Sequence, residues 1–119
     1  MTESSAIDQA ALDALLDSMG GDREFLTELM QDYFDDTPRQ LAAMERALNT
    51  GDSEGLRRAA HSLKSNSITF GALRLAGMCK ELEDLAKTGS LDGAGARIAA
   101  VAAECKRARF ALEEIQKDG

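Results

Sequence analysis

The chain lacks tryptophan altogether and carries one tyrosine, one proline, one histidine and two cysteines in 119 residues. Aromatic residues make up only 4% and β-branched residues are few, so Leu, Ala and Met supply most of the apolar mass. These are strong helix formers, and the profile is all-α. The two cysteines, Cys79 and Cys105, lie far apart and form no Cys-x-x-Cys pair. Each falls on the apolar stripe of a predicted helix, which reads as a buried free thiol and not as a disulfide framework. No apolar run approaches the ~18–20 residues needed to cross a bilayer. The start, Met1-Thr2-Glu3-Ser4-Ser5, is acidic and polar, unlike a secretory signal. The expected setting is the cytoplasm, and the short polar ends suggest a free-standing protein.

What is present fits one domain. A chain of this length buries roughly two-thirds of its unfolded surface, and 44% hydrophobic residues can fill a core without metal or disulfide. The net charge of −7 is unevenly spread: residues 1–54 hold 13 acidic and 3 basic side chains, residues 55–119 hold 8 and 11. The acidic first half disfavours nucleic acid as a partner, because a phosphate backbone needs a basic footprint. The positive excess begins where the only histidine, His61, stands.

Helical periodicity recurs along the chain, broken by short turn signals. A short helix is predicted over 7–18, with Ile7, Ala11, Leu12, Leu15 and Leu16 on one side and Gly20-Gly21 ending it. Asp22 offers an N-cap for a helix over 22–49, with Phe25, Leu26, Leu29 and Met30 inward and Leu41, Met44 and Leu48 further on. Pro38 removes one backbone donor from that helix and predicts a kink near Thr37, without a domain break. Asp52 or Ser53 caps a helix over 53–69, and two more follow over 71–87 and 92–116. Four long amphipathic helices with short connections pack most simply as an antiparallel four-helix bundle, the additional short N-terminal helix covering one end.

The chemistry concentrates on the 53–69 helix. At about 100° per residue, Leu56, Ala60, Leu63, Ser67 and Phe70 form the buried stripe, and His61 points away from it into solvent. Arg57, Lys64, Ser65 and Ile68 share the histidine's face by helical spacing, with Arg58 at its edge. That face reads as cationic, with no acidic residue on it. A neutral imidazole keeps one nitrogen lone pair free, able to attack phosphorus. Lys64, one turn along, can offset charge on phosphoryl oxygens, and Ser65 can donate a hydrogen bond. Spacing alone leaves two readings open: a phosphoryl acceptor, or an ordinary polar residue on a solvated face.

The run His61-Ser62-Leu63-Lys64-Ser65, followed after five residues by Gly71-Ala72, resembles the signature of histidine-containing phosphotransfer (HPt) domains, His-x-Leu-Lys-Gly with Gly-Ala at the same distance. Gly20-Gly21-Asp22-x-x-Phe25-Leu26, the acidic stretch before Pro38, and Gly51-Asp52 extend the resemblance over nearly the whole chain. It implies that His61 is the phosphoacceptor, taking phosphate from an aspartyl-phosphate on a response-regulator receiver domain and giving it to another. It implies that Lys64 steadies the phosphoryl oxygens and that Gly71 keeps the histidine's surroundings open and tightly packed. Ser65 departs from the family's glycine, which bears on the fit of a receiver. The receiver brings the catalytic aspartate and the magnesium ion, so no cofactor is expected on this chain, which has nothing like a histidine kinase's nucleotide-binding region and hence no ATPase. Partners would be receivers, possibly of a hybrid histidine kinase, docking on Arg57, Arg58 and Ile68, with the chain a monomer and neither nucleic acid nor membrane involved.

Two other functions compete with this reading. A receiver-binding adaptor without chemistry sits poorly with an intact His61 and Lys64. An unrelated helical scaffold or hydrolase would need a second catalytic group beside His61. Asp32, Asp35 and Asp36 lack the glycine and twelfth-position glutamate of a calcium loop, so they read as a solvated face and no metal site is expected. Met30, Met44 and Met78 read as core filler.

Overall fold

The computed structural model describes residues 6–118; the polar start Met1-Thr2-Glu3-Ser4-Ser5 lies outside them. Five helices follow one another: α1 (Gln9–Ser18), α2 (Arg23–Thr50), α3 (Ser53–Thr69), α4 (Leu73–Lys87) and α5 (Ala94–Asp118). Local chemistry sets their ends. Asp8, Asp22 and Asp52 each accept a hydrogen bond from a backbone N–H of the first turn they precede, at 2.9–3.1 Å. Gly51 closes α2 in the left-handed conformation, φ 71°, and its N–H and that of Asp52 return to carbonyls of the last turn. With only Gly51 and Asp52 between them, α2 and α3 must reverse direction.

Around the bundle, α2 packs on α3, α3 on α4, α4 on α5, and α5 back on α2. The shared core runs through Met30, Met44, Leu56, Leu63, Leu75, Leu82, Ile98, Val101 and Leu112, all essentially inaccessible. Helix α1 leans on the end where α3 stops and α4 begins. Its placement rests on Ile7 and Leu12, which join the core, and on the Asp8 N–H, which donates to the Gly71 carbonyl at 2.7 Å. Cys79 and Cys105 are buried free thiols, and burial pushes both up to about 12.

Helix α2 runs unbroken through Pro38. Beside it, the Thr37 hydroxyl donates to the Tyr33 carbonyl at 2.8 Å, and Tyr33 in turn fixes α2 to α3. The Tyr33 hydroxyl and the Ser67 hydroxyl share a buried hydrogen bond of 2.8 Å, and the Tyr33 ring stacks on Phe70 with centroids 4.9 Å apart. One inward assignment is corrected. Phe25 is exposed, because Leu26 and Met30, four residues apart, set the buried side of this turn and Phe25 is rotated about 100° from Leu26. No helix among the described residues is long and apolar enough to cross a membrane.

Candidate functional site

Helix α3 places its buried stripe and its outward face as helical arithmetic requires. Leu56, Ala60, Leu63, Ser67 and Phe70 are buried, whereas the His61 side chain is 55% exposed. The imidazole is not free, however. Its Nδ1 lies 3.1 Å from Oε2 of Glu83, which projects from the neighbouring α4. The other carboxylate oxygen of Glu83, Oε1, accepts from Nζ of Lys64 at 2.8 Å. Lys87, one turn further along α4, brings a second ammonium to 3.9 Å.

Glu83 is only 4% exposed, yet its surroundings favour the carboxylate. The Lys64 ammonium, hydrogen-bonded to it, holds its carboxyl below the usual glutamate range against the opposing effect of desolvation, with the His61 bond assisting. An ionised carboxylate can only accept. In the neutral ring the His61 contact therefore places the proton on Nδ1 and the lone pair on Nε2, in a side chain that is more than half exposed. The pairing fixes tautomer and ring orientation in one contact.

The face is thus less uniformly cationic than its spacing suggested, and the expectation of no acidic residue on it is corrected twice. Glu83 reaches it from α4. Glu54, seven residues before His61 and so on the same side of α3, accepts from Arg57 Nε at 2.9 Å and lies 3.5 Å from Arg58 Nη1. The Arg57 hydrogen bonds hold Glu54 below its ordinary range. Seven-residue spacing could have revealed Glu54; Glu83 carried a subtler signal, a glutamate in register with the buried Ala76, Cys79 and Ala86 of α4.

The remaining predicted residues disperse along α3. Ser65 is exposed one turn beyond His61, and its carbonyl accepts from Thr69. Ile68 is 51% exposed, so the face does contain a large unburied aliphatic side chain. Arg58 lines a shallow cleft toward α2 with Arg46, Gln40 and Ser62, on the flank of the histidine's face. Gly71 does not adjoin the imidazole. It sits in the turn after α3, ten residues along, at φ 79°, packed against the backbone of Asp8.

The chain as a whole has known counterparts. A family model described as the Hpt domain matches residues 28–111. The chain belongs to the Hpt domain family. Among solved structures it is similar to histidine-containing phosphotransfer protein B (HptB) from Pseudomonas aeruginosa PAO1, with a TM-score of 0.89 and 31% identity, covering 98% of this chain and 99% of that one. It is also 27% identical over 88 residues to multistep phosphorelay regulator 1 of Schizosaccharomyces pombe (strain 972). That match takes in 73% of this chain but only 30% of the relative, so the chain spans about a third of the relative's length.

Proposed function

We propose that this protein is a phosphorelay intermediate of two-component signalling in which His61 carries the phosphoryl group. The observation that carries the reading is the contact between His61 Nδ1 and Glu83, which leaves Nε2 of the exposed ring as the nucleophile. Nε2 attacks the aspartyl-phosphate of a receiver domain, the carboxylate leaves, and the reverse step onto a second receiver discharges the group. Lys64 offsets charge on the phosphoryl oxygens from one turn away, and exposed Ser65 lies on the same path. Receivers dock over Arg57, Arg58 and Ile68, and magnesium enters with the receiver's own carboxylates. A hybrid histidine kinase is one source of the donor receiver, and the chain acts as a monomer in the cytoplasm.

The test is a transfer assay from a phosphorylated receiver to the whole chain, read as acid-labile, alkali-stable phosphate. The parent should acquire it, and His61→Gln should not. Because His61 is largely exposed and the glutamine amide can still donate to Glu83, which also keeps its Lys64 bond, that variant should keep its helical circular dichroism. Labelling of the folded variant would place the acceptor elsewhere.

A further inference from the structure

Glu83 has a consequence after the phosphoryl group has arrived. When Nε2 forms its bond to phosphorus, the ring still holds its proton on Nδ1, and the phosphorylated ring is an imidazolium. In water such a ring readily gives up that proton. Here Nδ1 faces a buried carboxylate at 3.1 Å that is built into the adjacent helix. From this geometry we infer that Glu83 keeps Nδ1 protonated in phospho-His61, so that the phosphoryl group departs from a neutral imidazole and not from an imidazolate. This rests on the phosphocarrier role of His61.

The step balances without any additional proton donor. On loading, the Nε2 lone pair forms the N–P bond while the P–O bond to the receiver aspartate breaks and its electrons leave with the carboxylate. On unloading, the N–P electron pair returns to Nε2 as the next carboxylate attacks phosphorus. The Nδ1 proton stays in place throughout, shared with Glu83. A neutral imidazole is a far better leaving group than its anion, so the carboxylate keeps the carried group ready to move in either direction.

The surroundings favour this use of the charge. The charged groups facing the pair are Lys64 from α3, Arg57 from α3 with its partner Glu54, and Lys87 from α4; among the described residues, the ion-pair partners of His61 and Glu83 come only from these two helices. The neighbouring Cys79 thiol is buried and neutral at any physiological pH. Lys64 and His61 occupy different oxygens of Glu83, so they do not compete for one acceptor. Once a phosphoryl group stands beside Nε2, Lys64 has a second anion to serve, and the claim of Glu83 on the ring proton grows.

Glu83→Gln separates charge from hydrogen bonding. Its amide can accept from a protonated Nδ1 or donate to a bare one, and so has no preference for the proton. The full chain, labelled with ¹⁵N in its histidine and loaded with phosphoramidate, is followed by ¹⁵N and ³¹P resonance across pH. In the parent, Nδ1 of phospho-His61 should remain protonated well above neutrality. In Glu83→Gln the ring should lose that proton about one pH unit or more lower, the shift typical of losing an opposite charge within ~4–6 Å. Loss of the phosphoryl group at pH 8 should slow by roughly the same factor, tenfold per unit. A bare Nδ1 at neutral pH in the phosphorylated parent overturns the inference, whether or not the variant folds, and so does an unchanged pH profile in a folded Glu83→Gln. If instead the parent forms no phosphohistidine with either phosphoramidate or a phosphorylated receiver, the phosphocarrier reading itself fails.

Discussion

Replacing Gly71 by alanine separates two costs that glycine usually hides together. At φ 79° an added Cβ enters the left-handed region, which costs about 1–2 kcal/mol in an L-residue. The ideal Cβ would also stand 2.7 Å from the backbone oxygen of Asp8, a distance that forces the chain to move. The obstacle is backbone and cannot rotate aside. Moving it disturbs the 2.7 Å hydrogen bond from the Asp8 N–H to the Gly71 carbonyl, worth about 0.5–1.5 kcal/mol. The total is roughly 1.5–3.5 kcal/mol. Gly51→Ala provides the control, since Gly51 has the same sign of φ, 71°, and no atom within 4 Å of its added Cβ. It should lose only the conformational part. In urea, with a slope of about 1–3 kcal/mol per molar, the Gly71 variant should unfold at roughly 1 M lower denaturant than the parent and clearly below Gly51→Ala. Phosphoryl acceptance by the folded Gly71 variant should persist, because the turn lies about 15 Å along α3 from His61. Equal midpoints for the two variants would refute the close-approach argument; loss of acceptance in folded protein would restore Gly71 to the histidine's own surroundings.

Lys64→Ala should slow transfer, by analogy with losing one stabilising donor worth roughly 2–4 kcal/mol in a transition state, while still allowing acceptance; an unchanged rate in a single-turnover assay would leave Lys64 only its bond to Glu83. Ile68→Asp should stay folded and lose receiver binding by calorimetry, since it removes apolar contact worth about 1.5–3 kcal/mol when buried and adds a charge like those lining the receiver's pocket. Leu63→Asp, by contrast, should unfold the bundle, because it places an unpaired charge where no surface is accessible; a folded Leu63→Asp would mean that α3 is rotated. Acid should weaken the parent through Glu83: its folded pKa lies below the ordinary 4.5, so the stabilisation is whole above that value and lost as pH falls below it. Thermal midpoints between about pH 5 and pH 3 should therefore fall more steeply for the parent than for Glu83→Gln, and parallel curves would show that the carboxylate contributes nothing there.

The sequence was most legible where a single helix decides the outcome. Periodicity alone separated Leu56, Leu63 and Ser67 from His61, because rotation per residue along one helix is nearly fixed. The caps at Asp22 and Asp52 were legible for the same reason: each bonds an amide three residues on. Phe25 is the exception, because apolar character alone does not say which side of the first turn of α2 is covered: Leu26 is buried there and Phe25, one residue before it, is not. Glu83 was invisible to spacing on α3, since it meets His61 and Lys64 across the α3–α4 contact, 22 and 19 positions away. Its signal lay in the other helix, as a carboxylate set in the register of buried residues. A charge in that register is stable only with partners, and two of those partners were the residues already singled out.

Glu54 changes how the proposed docking face should behave. Counted by spacing, Arg57, Arg58 and Lys64 offer three positive charges to an acidic receiver. In the structure Arg57 is bonded to Glu54, Arg58 lies 3.5 Å from it, and Lys64 is bonded to Glu83. Glu54 is exposed at the head of α3, so its charge acts outward on an approaching partner and not inward on the fold. Glu54→Gln should therefore leave the bundle folded and unmask the two arginines. Association with a receiver should quicken at low salt, where fields reach about 30 Å, and the gain should fade toward 1 M salt, where they reach about 3 Å. Dissociation should change little, because long-range attraction acts mainly on encounter. Stopped-flow association rates across ionic strength measure this directly. If the rate at low salt is the same for Glu54→Gln and the parent, receivers approach by another face, and Arg57 and Arg58 have no part in guiding them.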